Sequence, residues 1–521
     1  MREVIRRNKL FTGALAVGAV LRLLAVLGYP GALWFAGDSY VYLGAALRPE
    51  PDLSKATGYS FFLRLLLPFH SLTLVVVLQH LMGLADAVLI YALLRRARVS
   101  RKWATIATLP MLLDGYVIED EHLIMTEALF TFLLMLAMFL VLWRPKISWW
   151  KALLAGLLLG YAAIVRTEGE AVLIVFPLFL LIRGWAWKTL RGWAMAVLMC
   201  VGILIPLGGY MAWFNQQHGA YDTTMAQGFF EWGRVSSFAD CAIIKPTGEL
   251  AKVCPTRAIA DRTPPGNYIW HAPYVHKDIN SIGGPVSPQG NSLLSKFAIK
   301  AVEAQPLDYI KTVVRGTLLS FGFPRIAYPG AGTTYYYSFH VHYKTAKYDM
   351  LPPNLKSHEW IPGGTAYSDW LGYGHQAPGV VNKVFAAPIL VYQRLIYTYG
   401  PLLALILLVG LGGVFAVRRR GWTVQRAWDV RRLRLAWEVR GTSMLPWITA
   451  VTLLITPVAV ADFDYRYLIP VLPFASAAAG LAFAPSSRKG AVPPGPAGPG
   501  ASSGPGESAS ETEEAVPDSV A

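Results

Sequence analysis

The sequence predicts an all-α polytopic membrane protein of about ten or more transmembrane helices, carrying an extracytoplasmic domain of mixed, irregular structure. Three observations predict it. Of 521 residues, 54% are hydrophobic and only 15% charged, against roughly 25% charged in an average soluble domain. Apolar runs of about 20 residues, enough to cross a hydrocarbon core of roughly 30 Å, recur along the chain. Between them, basic residues gather in alternate loops. An ordinary soluble enzyme is excluded. The net charge of +15 then records membrane sidedness and contact with anionic lipid, not a nucleic-acid partner.

The expected spans lie near 10–29, 72–94, 103–118, 127–143, 151–166, 171–183, 193–214, 398–417, 444–461 and 466–484. The first opens like a signal peptide, with Arg2, Arg6, Arg7 and Lys9 ahead of an apolar run. That run is too long, and Arg22 interrupts it, so it reads as an uncleaved first span. Arg95, Arg96, Arg98, Arg101 and Lys102 follow the second span, Arg144, Lys146 and Lys151 the fourth, and Arg183, Lys188 and Arg191 the sixth. The stretch from Arg418 to Arg440 is also strongly basic. Lys and Arg are retained in the cytoplasm, which puts both termini inside and the intervening loops outside, in a plasma membrane. Four parts follow: a membrane module over 1–214, an extracytoplasmic domain over 215–384, C-terminal spans over 385–484, and a disordered cytoplasmic tail over 485–521, rich in Pro, Gly and Ser and unable to bury a core.

Acidic residues concentrate on the outer face. The first outer loop carries Asp38-Ser39-Tyr40-Val41-Tyr42 and then Gly58-Tyr59. The second carries Asp114, Glu119, Asp120, Glu121, His122 and Glu127, the third Arg166-Thr167-Glu168-Gly169-Glu170, and the last Asp462-Phe463-Asp464-Tyr465-Arg466-Tyr467. Carboxylates at a membrane surface suit a general base, a divalent-cation site or an ion path. The bland alternatives are a helix cap at Asp38, an interface anchor at Arg466 beside its tyrosines, and a local ion pair of Arg166 with Glu168 or Glu170. Asp462-x-Asp464 also has the form of the metal-nucleotide motif of soluble sugar transferases. No Gly-rich phosphate loop follows a strand here to support that reading. Inside the bilayer, where charge is expensive, Arg22 and Asp86 stand at heights about 6 Å apart; either they pair, or Arg22 snorkels outward and helps bind a lipid phosphate. Gln79 and His80 read as helix-helix hydrogen-bonding groups.

The outer segment is rich in turn signals, such as Thr263-Pro264-Pro265-Gly266 and Tyr328-Pro329-Gly330. Ser295 to Phe321 reads as an amphipathic helix pair broken at Pro306, lying on the membrane surface. Cys241 and Cys254 fall in this oxidising compartment, where a disulfide is allowed.

The order and sidedness of these pieces resemble the GT-C superfamily of integral membrane glycosyltransferases. The likeness is greatest to the bacterial polyprenyl-phosphate-sugar-dependent group that includes relatives of protein O-mannosyltransferases and lipid A aminoarabinose transferases. It rests on Asp38 to Tyr42, Gly58-Tyr59, the Glu119-to-Glu127 stretch, Arg166-Thr167-Glu168 and the closing Arg466-Tyr467-Leu468-Ile469-Pro470-Val471-Leu472-Pro473. One departure is Ser39, where many members have a second acid. The resemblance implies a sugar donor linked to polyprenyl phosphate and an extracytoplasmic glycan, lipid or protein acceptor, with the chemistry serving the cell envelope. It implies Asp38 as base, helped by Asp120 or Glu121. It makes Tyr40, Tyr59, Glu127, Arg166, Glu168, Arg466 and Tyr467 substrate-binding residues, and it leaves a divalent cation open. The rivals are a lipid transporter or flippase, with Arg22 and Asp86 on its pathway, and a non-catalytic envelope assembly protein.

Overall fold

The computed structural model describes residues 2–271, 284–340, 359, 361–374, 381–415 and 442–485. The basic stretch Arg418 to Arg440 and the tail beyond Pro485 lie outside the described residues. Among the described residues the chain is helical with no strand, only two isolated bridges. The described part of the expected outer segment is therefore helical and irregular, without the strands that a mixed structure would add.

Among the described residues, three helices are long and apolar enough, by length and composition, to cross a membrane: α1 (Lys9–Gly28), α3 (Leu72–Arg96) and α6 (Leu190–His218). Between them lie α2 (Ala36–Leu47), which runs from the first loop, then α4 (Glu127–Leu142) and α5 (Trp149–Val165). The C-terminal part holds a pair bent by 60°, Lys383–Leu395 followed by Gly400–Phe415, and the shorter apolar helices Met444–Val460 and Val471–Ala482. Helices stand at all ten expected positions, yet most are shorter than a full span, so hydropathy alone does not establish ten crossings.

The expected third span shows why. It breaks into Arg101–Ile106, Leu109–Leu113 and Gly115–Asp120. Pro110 cannot continue the preceding ladder, and Asp114 leaves the helical region to accept the amides of Tyr116 and Val117. The segment thereby turns and brings its acidic end into the interior.

Packing of the long helices follows side-chain size. On α5, Gly156 and Gly160 lie one turn apart, where any Cβ would run into the carbonyls of Met199 and Ile203 on α6. Small residues at this spacing let backbones touch, the usual source of helix association in lipid. The opposite face of α6 leaves Leu190, Trp193, Val197, Val201, Leu204 and Ile205 exposed, an apolar stripe that fits hydrocarbon.

The outer segment has its own core, built on Phe229, Trp232, Phe238, Tyr268, Leu294 and Phe297. Cys241 and Cys254 form a disulfide within it. Pro288–Ala304 and Pro306–Leu319 are the helix pair expected on either side of Pro306.

Candidate active site at the loop end of the bundle

The first two loops are zipped together before any charged group is placed. The amide of Leu33 donates to His122 O at 2.9 Å, and that of Ile124 to Leu33 O at 3.0 Å. Ser39 completes the join. Fully buried, its hydroxyl accepts the amide of Phe35 at 2.8 Å and donates to Ile124 O at 2.9 Å. The residue that departs from the family pattern is thus a staple, and it sets Asp38 in the first turn of α2.

Around Asp38, four loops converge. Lys55 Nζ stands 3.1 Å from Oδ1 and Arg466 Nη1 3.2 Å from Oδ2. Arg466 also lies 3.4 Å from Asp464 and 3.9 Å from Glu127. Glu127, wholly buried at the start of α4, is ion-paired with Arg166, which also contacts Glu168 at 3.1 Å and Thr126 at 3.1 Å. Tyr467 lies between the two guanidinium groups, 5.2 Å from Arg166 and 5.3 Å from Arg466, and Phe35 covers Arg466 at 4.5 Å. Opposite charges and aromatic faces thus hold every cation in one orientation.

Burial alone would raise the Asp38 carboxyl, but Lys55 and Arg466 outweigh it and hold it below the usual carboxylate value. Its side chain remains 21% exposed, so it is ionised and reachable. Asp120 is the opposite case. It is buried, and neither oxygen has a hydrogen-bond partner among the described residues.

The other expected residues separate. Glu121 turns inward to Arg22, accepting from Nε and Nη2 at 2.7 Å each, with His80 Nδ1 at 2.8 Å. This corrects the expected pairing of Arg22 with Asp86, whose Oδ1 has no partner, and it removes Glu121 from the Asp38 cluster. Tyr40 is buried in a stack on Trp34, and Tyr59 donates its hydroxyl to Gln79 at 2.6 Å. The tyrosine facing the charges is Tyr42, which feels Asp38, Glu127, Arg166 and Arg466. Asp462 is consumed by the outer segment: Gly266 N donates at 2.9 Å, Tyr328 at 2.8 Å, and Arg234 lies at 3.7 Å. An Asp-x-Asp metal motif has no footing there. Among the described residues no three His, Cys, Asp or Glu side chains are grouped to hold a metal ion.

Sequence reasoning missed Lys55 and the pairing of Asp464 with Arg466. The signal for Lys55 was available: a basic residue in a loop on the side poor in Lys and Arg calls for a local counter-charge.

Residues 67–218 match the family model of dolichyl-phosphate-mannose-protein mannosyltransferases. No curated protein matches the chain. The matched stretch contains Glu127, Arg166 and Glu168, and the structure gathers Asp38, Lys55 and Arg466 around them from outside it.

Proposed function

With residues 67–218 forming a GT-C family domain in an integral membrane protein, we propose that the chain moves a sugar from a polyprenyl-phosphate donor to a hydroxyl on an extracytoplasmic acceptor. The matched family's description makes mannose the first choice of sugar and protein the first choice of acceptor. The observation that carries this reading is Asp38: ionised, reachable, and fixed between two cations at the meeting point of four loops.

In the proposed step the acceptor oxygen attacks the anomeric carbon from the side opposite the phosphate. The new glycosidic C–O bond forms as the bond to the phosphate oxygen breaks, and the configuration inverts. A carboxylate held below its usual pKa is too weak to ionise a free alcohol. It accepts the proton only as attack acidifies that hydroxyl, so Asp38 acts late along the coordinate. The electron pair leaves with the lipid phosphate, and Arg466 and Arg166 face the charge that develops there. Tyr42 and Tyr467 wall the reacting groups. Glu127 and Glu168 keep Arg166 in place, and the outer segment selects the acceptor. A transporter reading loses its main support because Arg22 is saturated. Its remaining N–H groups donate to Gly18, Leu112 and Met111 carbonyls at 3.0 to 3.2 Å, which suits a lock better than a path.

Purified protein offered labelled polyprenyl-phosphate mannose and a hydroxyl-bearing peptide should form a glycoside whose anomeric configuration is opposite to the donor's. Asp38→Asn should lower turnover by at least about a hundredfold while the protein stays folded. Near-normal turnover of that variant would remove Asp38 from the mechanism, and retained configuration would exclude direct displacement.

A further inference from the structure

Arg325, in the loop after Pro306–Leu319, is held but not neutralised. Its guanidinium lies 3.9 Å from the Tyr116 ring centroid, 4.8 Å from that of Tyr465 and 5.0 Å from that of Tyr397. Aromatic rings satisfy the plane of a guanidinium and leave its N–H edge in need of acceptors. Among the described residues no carboxylate or carbonyl takes those N–H groups. The contrast with the Asp38 cluster is sharp. There Lys55, Arg166 and Arg466 face Asp38, Glu127, Glu168 and Asp464, so no positive charge is left over.

Arg325 lines a cavity of about 280 Å³, together with Tyr116, Ala331, Thr334, Tyr337 and Tyr465. The Tyr465 hydroxyl accepts the amide of Ile326 at 3.0 Å, and its own proton has no acceptor among the described residues. Phe323, Ile326 and Ile396, next in sequence to the cationic loop and to Tyr397, are large, apolar and exposed. One wall is shared with the transfer site. Tyr337 stacks on Phe35 with centroids 6.1 Å apart, and Arg466 covers Phe35 from 4.5 Å.

We infer that this cavity is a second anion subsite, which takes the phosphate of a membrane amphiphile. Two N–H groups of Arg325 fork to its oxygens, the Tyr465 hydroxyl adds a third donor, and the exposed apolar residues meet the acyl or prenyl chain. An exposed surface arginine would stay hydrated and gain little from such a ligand. This one is already oriented by three rings, so less entropy is lost on binding. The inference extends the transferase reading by naming where a lipid phosphate rests beside the reacting centre. The same chemistry is offered by the sugar carrier and by ambient phospholipid.

The test is binding, not turnover. Full-length protein in phosphatidylcholine nanodiscs is titrated with a short-chain polyprenyl phosphate bearing no sugar, and separately with phosphatidylglycerol. Arg325→Gln should weaken polyprenyl phosphate roughly ten- to a hundredfold. Arg325→Lys, which keeps the charge and loses the fork, should fall between, and Tyr465→Phe should cost a few-fold. Weakening confined to polyprenyl phosphate identifies the carrier lipid as the ligand, and equal weakening of phosphatidylglycerol makes it a general phospholipid-phosphate site. Unchanged affinity for both lipids in folded Arg325→Gln overturns the proposal. If that variant does not fold, unchanged affinity in Arg325→Lys and Tyr465→Phe does so. Because the probe carries no sugar, a failure to form glycoside would sink the transferase reading and leave this result standing, and the reverse also holds.

Discussion

At the scale of single residues, the proposed chemistry turns on how Lys55 and Arg466 share one carboxylate. The Asp38 value is depressed in the folded protein, so its ion-pair stabilisation is present above the ordinary carboxylate pKa and is lost as pH falls through the lower, folded value. Transfer by the wild-type protein should therefore persist as pH drops through the usual carboxylate range. Lys55→Met leaves Arg466 as the remaining counter-charge, so the Asp38 pKa rises and the acid limb of the rate profile moves to higher pH. Turnover of labelled donor against pH reads this directly, and a limb that stays put would show that Lys55 does not tune the base. Position in sequence gave little warning of this pair. The sixteen intervening positions run through the rest of α2 and then a loop whose closure depends on tertiary contacts, whereas Asp38 itself stood out because it follows an apolar span and opens a helix.

At the scale of elements, α2 is gripped at its far end by the outer segment. Arg48 caps it and makes a bidentate pair with Asp369, Nη1 to Oδ1 at 2.6 Å and Nη2 to Oδ2 at 2.7 Å. Asp369 belongs to the outer helix Ala366–Tyr373 and is 3% exposed, while Arg48 is 27% exposed. The approach is possible because Gly364 carries no Cβ, which would strike both partners. Arg48→Ala leaves a buried carboxylate without its cation. With allowance for the arginine's partial exposure, the cost is about 2 kcal/mol. Thermal unfolding should show that loss, and Arg48→Ala combined with Asp369→Asn should recover part of it. Equal melting of all variants would mean the grip does not hold the helix. Helices such as α3 and α6 were legible because a continuous apolar run admits one structure in lipid. The clamp was not, since Asp369 sits more than three hundred residues from its partner among tyrosines and glycines that specify no single element. The break at Pro110 and Asp114 was legible in principle. Proline and a capping aspartate are both stop signals, but hydropathy averaged over the window conceals them.

At the scale of the whole molecule, one buried network fixes how the membrane helices meet. Arg22 on α1, His80 on α3 and Glu121 at the end of the broken third span are tied together, and His80 Nε2 lies 3.1 Å from His122 Nδ1. Arg22 and Glu121 are each 2% exposed, and Gly83 leaves the space that the Glu121 carboxylate occupies. Height along two helices pointed to Asp86 as the partner of Arg22, because a straight third span would have kept Glu121 at the surface. The break in that span carries it inward. Such a pair is weak support for stability as a unit, since both charges were desolvated to make it, but it is costly to halve. Arg22→Met strands Glu121, and Glu121→Leu strands Arg22, each at about 3 to 5 kcal/mol. The double variant strands neither charge, though the Met111 and Leu112 carbonyls lose their donor. Its loss should therefore fall short of the sum of the single losses by more than about 2 kcal/mol. Unfolding of all four proteins in one detergent closes the cycle. Additive losses would show that the two groups act separately, and the loops bearing Asp38 and Glu127 would then owe their alignment to the Leu33–His122 and Ser39–Ile124 hydrogen bonds and to apolar packing.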